Sequence, residues 1–182
     1  RLAADQAAGR ASPAVHLHAC SHTTFSPNVV RTVGRPKTNV IPDVVDLDID
    51  IRHMPGEDTA EVEAHLRAAL GDDVYDSLGV EILIDDPASM SRVDTALWDS
   101  LQKAISVPFP DARLTPSLAA GFTDARIFRE LGAIAYGAGL KSPSIDAAEL
   151  GRRFHGHNER IDIESLRLTT ELFDRVITDL LG

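Results

Sequence analysis

"VVDLDIDIRHMPG", Val44 to Gly56, alternates without a break. Val45, Leu47, Ile49 and Ile51 share one face of an extended chain, and Asp46, Asp48 and Asp50 share the other. A period of two predicts an antiparallel strand with one apolar face and one wet face. Arg52 has the parity of the aspartates and is expected outside the core. Just upstream, "FSPNVVRTVGRPKTNV" (25–40) reads as a strand, a Gly-Arg-Pro-Lys turn and the start of another strand. Downstream, "EDTAEVEAHLRAALGDD" (57–73) predicts a helix. Asp58 or Thr59 caps it, Val62, Leu66, Ala69 and Leu70 form its buried stripe, and Gly71 sits just past its end. "LGVEILID" (78–85) predicts one more strand. Strand, strand, helix, strand makes a small α+β unit that ends near Pro87.

Beyond Pro87 the pattern changes. "SRVDTALWDSLQKAI" (91–105) predicts an amphipathic helix with Val93, Leu97, Trp98, Leu101 and Ile105 inward. "DARLTPSL" (111–118) and "GAIAYGAGL" (132–140) are short strand candidates on either side of the helix "TDARIFREL". From Ile161 a long terminal helix is expected, with Leu166, Leu172, Phe173, Val176, Ile177 and Leu180 as its core stripe. Helices alternating with short apolar strands suggest a layered α/β domain.

The chain has 182 residues, 43% hydrophobic and 25% charged, the balance of a soluble globular protein. A formal charge of −10 argues against a nucleic-acid partner, which wants a clustered basic surface. No apolar run approaches the roughly 20 residues that span a bilayer, so no membrane partner is expected. Cys20 is the only cysteine, so nothing requires an oxidising compartment and a cytoplasmic location is expected. The first residues, "RLAADQAAGRASP", lack the apolar stretch of a secretory signal and begin inside a helix-like pattern without Met. That pattern suggests a fragment.

Ligand-grade chemistry concentrates in "RRFHGHNERIDIE" (152–164). Zinc-type ions take neutral imidazole, and a neighbouring polar group usually orients the ring. His155 has Gly156 beside it for a close turn, with Asn158 and Glu159 within reach as hydrogen-bond partners. The competing reading is a polar loop ahead of the last helix, capped by Asp162. Asn39 opens a strand after a turn and Arg52 closes one. Such an Arg can clamp a carboxylate through two contacts, and such an Asn can hold a carbonyl. Gly121, Phe122 and Thr123 precede a helix start, where free N–H groups favour anions; taken alone, a capped helix start with Thr123 as N-cap and Asp124 in the first turn is the better reading and needs no function. His16, His18 and His22 are spaced closely enough to look like a metal cluster, yet "AVHLHACSH" alternates like a strand, so His16 and His18 can share a wet face and the group is not read as a site.

In order, "TNVIPDVVDLDIDIRHMPGE", "LAAGFTDARIFRELG", "YGAGL" and "HGHNERIDIESL" resemble the M20 family of metallopeptidases, from about Ser26 to the C-terminus. That family includes aminoacylase, carboxypeptidase G2, succinyl-diaminopimelate desuccinylase, acetylornithine deacetylase and many dipeptidases. The resemblance implies an α+β lid and dimerisation domain, ferredoxin-like, over residues 1–87. Residues 88–182 would then be the C-terminal portion of an α/β zinc-hydrolase catalytic domain. It implies His155 as a zinc ligand and Glu159 as its support, while His157 falls at a variable position. Asn39 and Arg52 would reach the substrate's carbonyl and carboxylate, commonly across a homodimer. Gly121, Phe122 and Thr123 would line the carboxylate pocket.

The family's remaining ligands for its two zinc ions, a His-x-Asp motif, a bridging aspartate and a Glu-Glu pair, do not occur in this sequence. Neither does its general base, which is expected before Arg1, as is the lid histidine that holds the oxyanion. The parent enzyme is therefore expected to cleave a dipeptide or N-acyl amino acid next to a free carboxylate, with this chain inactive alone. A desuccinylase or acetylornithine deacetylase-like deacylase is the alternative substrate class. A non-catalytic association module is the alternative of another kind.

Overall fold

The computed structural model describes residues 17–182 apart from 36, 120, 155 and 156, with backbone alone at 147 and 148. The chain divides into two compact units, one ending at Ala88 and one running Ser89–Gly182.

In the first unit, β1 (Thr24–Thr32) and β2 (Val45–Arg52) form a two-stranded antiparallel sheet. Its apolar face pairs Phe25 with Ile51, Pro27 with Ile49, Val30 with Leu47, and Thr32 with Val45. An irregularity between Pro27 and Val29 leaves Asn28 as the extra residue. Without it, strict alternation would carry Arg31 onto the apolar face. With it, Arg31 pairs with Asp46 and donates to both carboxylate oxygens of Asp48, at 2.7 and 2.6 Å. Helix α1 (Thr59–Leu70) begins with a capping box. Asp58 accepts from the Ala60 and Glu61 N–H groups, while Glu61 accepts from the Asp58 N–H. Gly71 ends the helix at φ 82°, a backbone conformation natural to glycine, and α2 (Asp72–Tyr75) follows.

Two expectations change here. The apolar face of β2 is not buried: Leu47 is 49% exposed, and Val45 and Ile49 are also exposed. Helix α1 touches the ribbon edge-on, through Phe25 and His65, and buries none of its own residues; Ala69 and Leu70 are exposed. Leu78–Asp85 is irregular rather than a strand. A strand exists only as part of a ladder, and this segment pairs with neither edge of the β1–β2 ribbon.

In the second unit, α3 (Ala96–Ser106) packs against α6 (Ile163–Leu181). Short helices α4 (Ala125–Glu130) and α5 (Ala147–Gly151) lie between them in sequence. Leu101, Ala104, Ile105, Leu172 and Val176 form the core. The candidate strands 111–118 and 132–140 are not hydrogen-bonded strands, yet their period of two is real. Ala112 and Leu114 from one, and Tyr136, Ala138 and Leu140 from the other, pack on that core. Helix side chains bind their backbones in place of a neighbouring strand. Gln102 accepts from Leu114 N–H and donates to Ala112 O, at 2.8 and 3.1 Å. Thr169 Oγ1 accepts from Leu140 N–H and donates to Leu140 O, at 3.0 and 2.9 Å.

The terminal helix is capped by Asp162, whose carboxylate accepts from Ser165 N–H at 2.8 Å. Its buried residues are Ser165, Leu168, Leu172 and Val176. Leu166, Phe173, Ile177 and Leu180 of the expected stripe are exposed, because α3 covers one side of the helix only. Likewise Trp98 of α3 lies edge-on to Tyr136, and Val93 stands exposed ahead of the helix.

Thr95 ties these elements together. Its hydroxyl oxygen accepts from Trp98 N–H at 3.1 Å and lies 2.6 Å from Tyr136 Oη, which itself donates to Arg92 O. Thr95→Ala removes the cap of α3 and should lower stability by about 1 kcal/mol, read as a lower urea midpoint at unchanged slope.

Candidate substrate and metal-site residues

Arg52 stands at the end of β2 opposite Thr24. Its guanidinium donates to Asp50 at 2.8 Å, which fixes it on the aspartate face. The two side chains are 40% and 43% exposed, so the pair is a surface one and readily exchanged for another carboxylate. Asn39 is exposed in the connection at the other end of the ribbon, in a turn where Val40 N–H donates to Lys37 O. Thr32 pairs with Val45, and Val33 N–H donates to Val44 O, which holds the two ends of that connection together. From Val45 to Arg52 the strand advances roughly 24 Å at about 3.4 Å per residue. The ladder thus places Asn39 and Arg52 toward opposite ends of the ribbon.

In the second unit, Gly121, Phe122 and Thr123 are exposed and lead into α4. Asp124 takes the N-cap position without a side-chain cap bond, and Thr123 Oγ1 accepts from Ala125 N–H at 3.2 Å. The cap therefore sits one residue later than expected, with the threonine still satisfying a free N–H. The Arg126 guanidinium lies over the Phe122 ring, 4.7 Å from its centre. No added side-chain carbon at Gly121 would meet another atom within 4 Å, so the backbone there is open to a ligand.

His155 lies outside the described residues, as does His16. The segments flanking His155 are described. Arg160 N–H donates to Arg153 O at 3.4 Å, and Asn158 turns the chain with φ 62°, which its short polar side chain tolerates. Glu149 joins the flanks: it receives Arg152 at 3.3 Å, Arg153 at 3.0 Å and Arg160 at 2.8 Å. Arg153, largely buried, also donates to Asp162 at 3.2 Å. Glu159 is exposed, as is His157. The Glu149 hub was missed in the sequence, although Glu149 and Arg153 have the i, i+4 spacing of a helical ion pair. Among the described residues no three His, Cys, Asp or Glu side chains come together as a metal site.

Contacts with the arginines, Arg153 first, hold the Glu149 carboxyl below the usual carboxylate range, and the Ser165 N–H does the same for Asp162. A carboxyl lowered on folding stabilises the fold fully above its ordinary value and loses that contribution as pH falls through the lowered one. Thermal midpoints should therefore be insensitive to these groups from pH 7 down to about 5 and fall below about pH 4. Glu149→Gln should be less stable than the parent at pH 7 and lose less on acidification. Equal acid slopes in the two proteins would exclude a stabilising role for the hub.

Residues 4–77 match the family model described as the peptidase dimerisation domain of the M20 type. That match, over 74 of the 182 residues, supports an M20-type dimerisation domain in this part of the chain. The two-stranded antiparallel sheet with its helices is compatible with that domain, which points to self-association. The chain is also 26% identical over 141 residues to "Probable carboxypeptidase S-like 2" of Dictyostelium discoideum. That match covers 78% of this chain and 26% of the relative, so the chain spans about a quarter of the relative's length. No solved structure matches the chain.

Proposed function

We propose that this chain is part of an M20-type, zinc-dependent hydrolase that cleaves a dipeptide or N-acyl amino acid next to a free carboxylate. In this reading Arg52 holds the substrate carboxylate, and Gly121, Phe122 and Thr123 form the wall of the pocket. Asn39, toward the other end of the same ribbon, reaches a carbonyl of the substrate bound at the other active site of the dimer. His155 supplies one metal ligand, Glu159 supports its loop, and two copies associate through the domain at residues 4–77. The observation that carries the reading is Arg52, a strand-end guanidinium on the wet face whose bond to Asp50 a substrate carboxylate can replace. The relative's name supports the same preference, since a carboxypeptidase acts at a free C-terminal carboxylate.

The test is hydrolysis by the full-length parent of paired substrates, each dipeptide or N-acyl amino acid offered as free acid and as amide. The free acids should turn over and the amides should not. Turnover of neither, by protein shown to carry its metal, rejects the hydrolase reading; equal turnover rejects the carboxylate preference.

A further inference from the structure

His18 and His22 lie one turn apart, where a helical turn at 17–19 leads into β1. Their rings stack with centres 4.3 Å apart and planes inclined by 21°. Ser21 sits beside them, and its hydroxyl has one proton to give. The short contact, 2.6 Å to Leu17 O, takes that proton. The Ser21 oxygen is then an acceptor, and the atom facing it at 2.9 Å is His22 Nδ1. His22 therefore carries its proton on Nδ1, and Nε2 holds the free lone pair. A fixed tautomer with the second nitrogen available is the arrangement in which proteins present histidine to a metal.

We propose that His18 and His22 form a two-imidazole site for a first-row divalent transition ion, with Ser21 as the residue that orients His22. His22 keeps its contact with Ser21, which leaves its Nε2 for the ion. The half-exposed His18 ring beside it turns out of the stack to bring one of its nitrogens to the same ion, at bonds of about 2.0 to 2.1 Å. Among the described residues no third His, Cys, Asp or Glu completes a group with them, so water fills the other positions. The residues of this site all belong to the first unit.

The test is calorimetric titration with Ni²⁺ of the chain carrying His155→Ala and His157→Ala, followed in the same background by variants of the site. One ion per chain should bind. His18→Ala or His22→Ala should remove that binding, and Ser21→Ala should weaken it by about tenfold, as loss of an orienting partner does. Ser21→Thr, which keeps the hydroxyl, should restore it. Ni²⁺ should also broaden the amide resonances of Ser21 and His22 before those of residues 45–52, a readout that needs no variant to fold. Unchanged affinity in His22→Ala, or full affinity in Ser21→Ala, overturns the proposal, as does broadening centred elsewhere.

Discussion

Arg52→Ala in the full-length enzyme is expected to lose roughly 2 to 5 kcal/mol of transition-state binding, the loss typical of truncating one partner of a buried charge pair. In the free protein the guanidinium meets Asp50 at the surface, so the same substitution should change stability by no more than about 0.5 kcal/mol. The contrast between the two effects makes the experiment informative. A residue that matters for fold would move both, whereas one reserved for a ligand moves kinetics alone. Lysine should rescue poorly, because an ammonium cannot reproduce a planar two-point contact. If Arg52 works across a dimer, mixing Arg52→Ala subunits with His155→Ala subunits yields heterodimers with one doubly defective and one intact site. About half the wild-type activity should then return to those heterodimers, as the count of intact sites requires. Near-normal kcat/KM of Arg52→Ala on free-acid substrates would end the clamp.

Leu172→Ala should lower the stability of the second unit by about 2 to 5 kcal/mol. Leu172 is 1% exposed and lies within the cluster shared by α3 and α6. Truncation removes its contacts with Leu101, Ala104 and Ile105 at once and leaves a cavity that a helix pair closes incompletely. Leu166, on the same helix, is 52% exposed, and Leu166→Ala in this chain should stay within about 0.5 kcal/mol. Chemical denaturation of the two variants separates the faces of α6 directly. Equal losses would mean that the exposed face is covered in solution, by a second copy or by further chain.

Local order was written in the sequence. Asp58, Gly71 and Asp162 act within a few residues of themselves, so both ends of α1 and the start of α6 were legible as spacing, whereas the cap of α3 at Thr95 emerged only in the structure. Alternation placed Arg52 with the aspartates, and its bond to Asp50 follows from that parity. Motif order also carried the M20 resemblance, which the dimerisation-domain match supports. Partnership was not legible, because it depends on what lies opposite. Leu78–Asp85 reads as a strand and remains irregular, because it docks on neither open edge of the two-stranded ribbon. Residues 111–118 and 132–140 keep the strand period, but Gln102 and Thr169 hold their backbones instead of a ladder. The bulge at Asn28, the exposure of Leu47 and Leu166, and the three arginines gathered on Glu149 were likewise decided in three dimensions. Sequence periodicity specifies which side chains share a face; burial of that face depends on a second surface, which only the tertiary structure supplies or withholds.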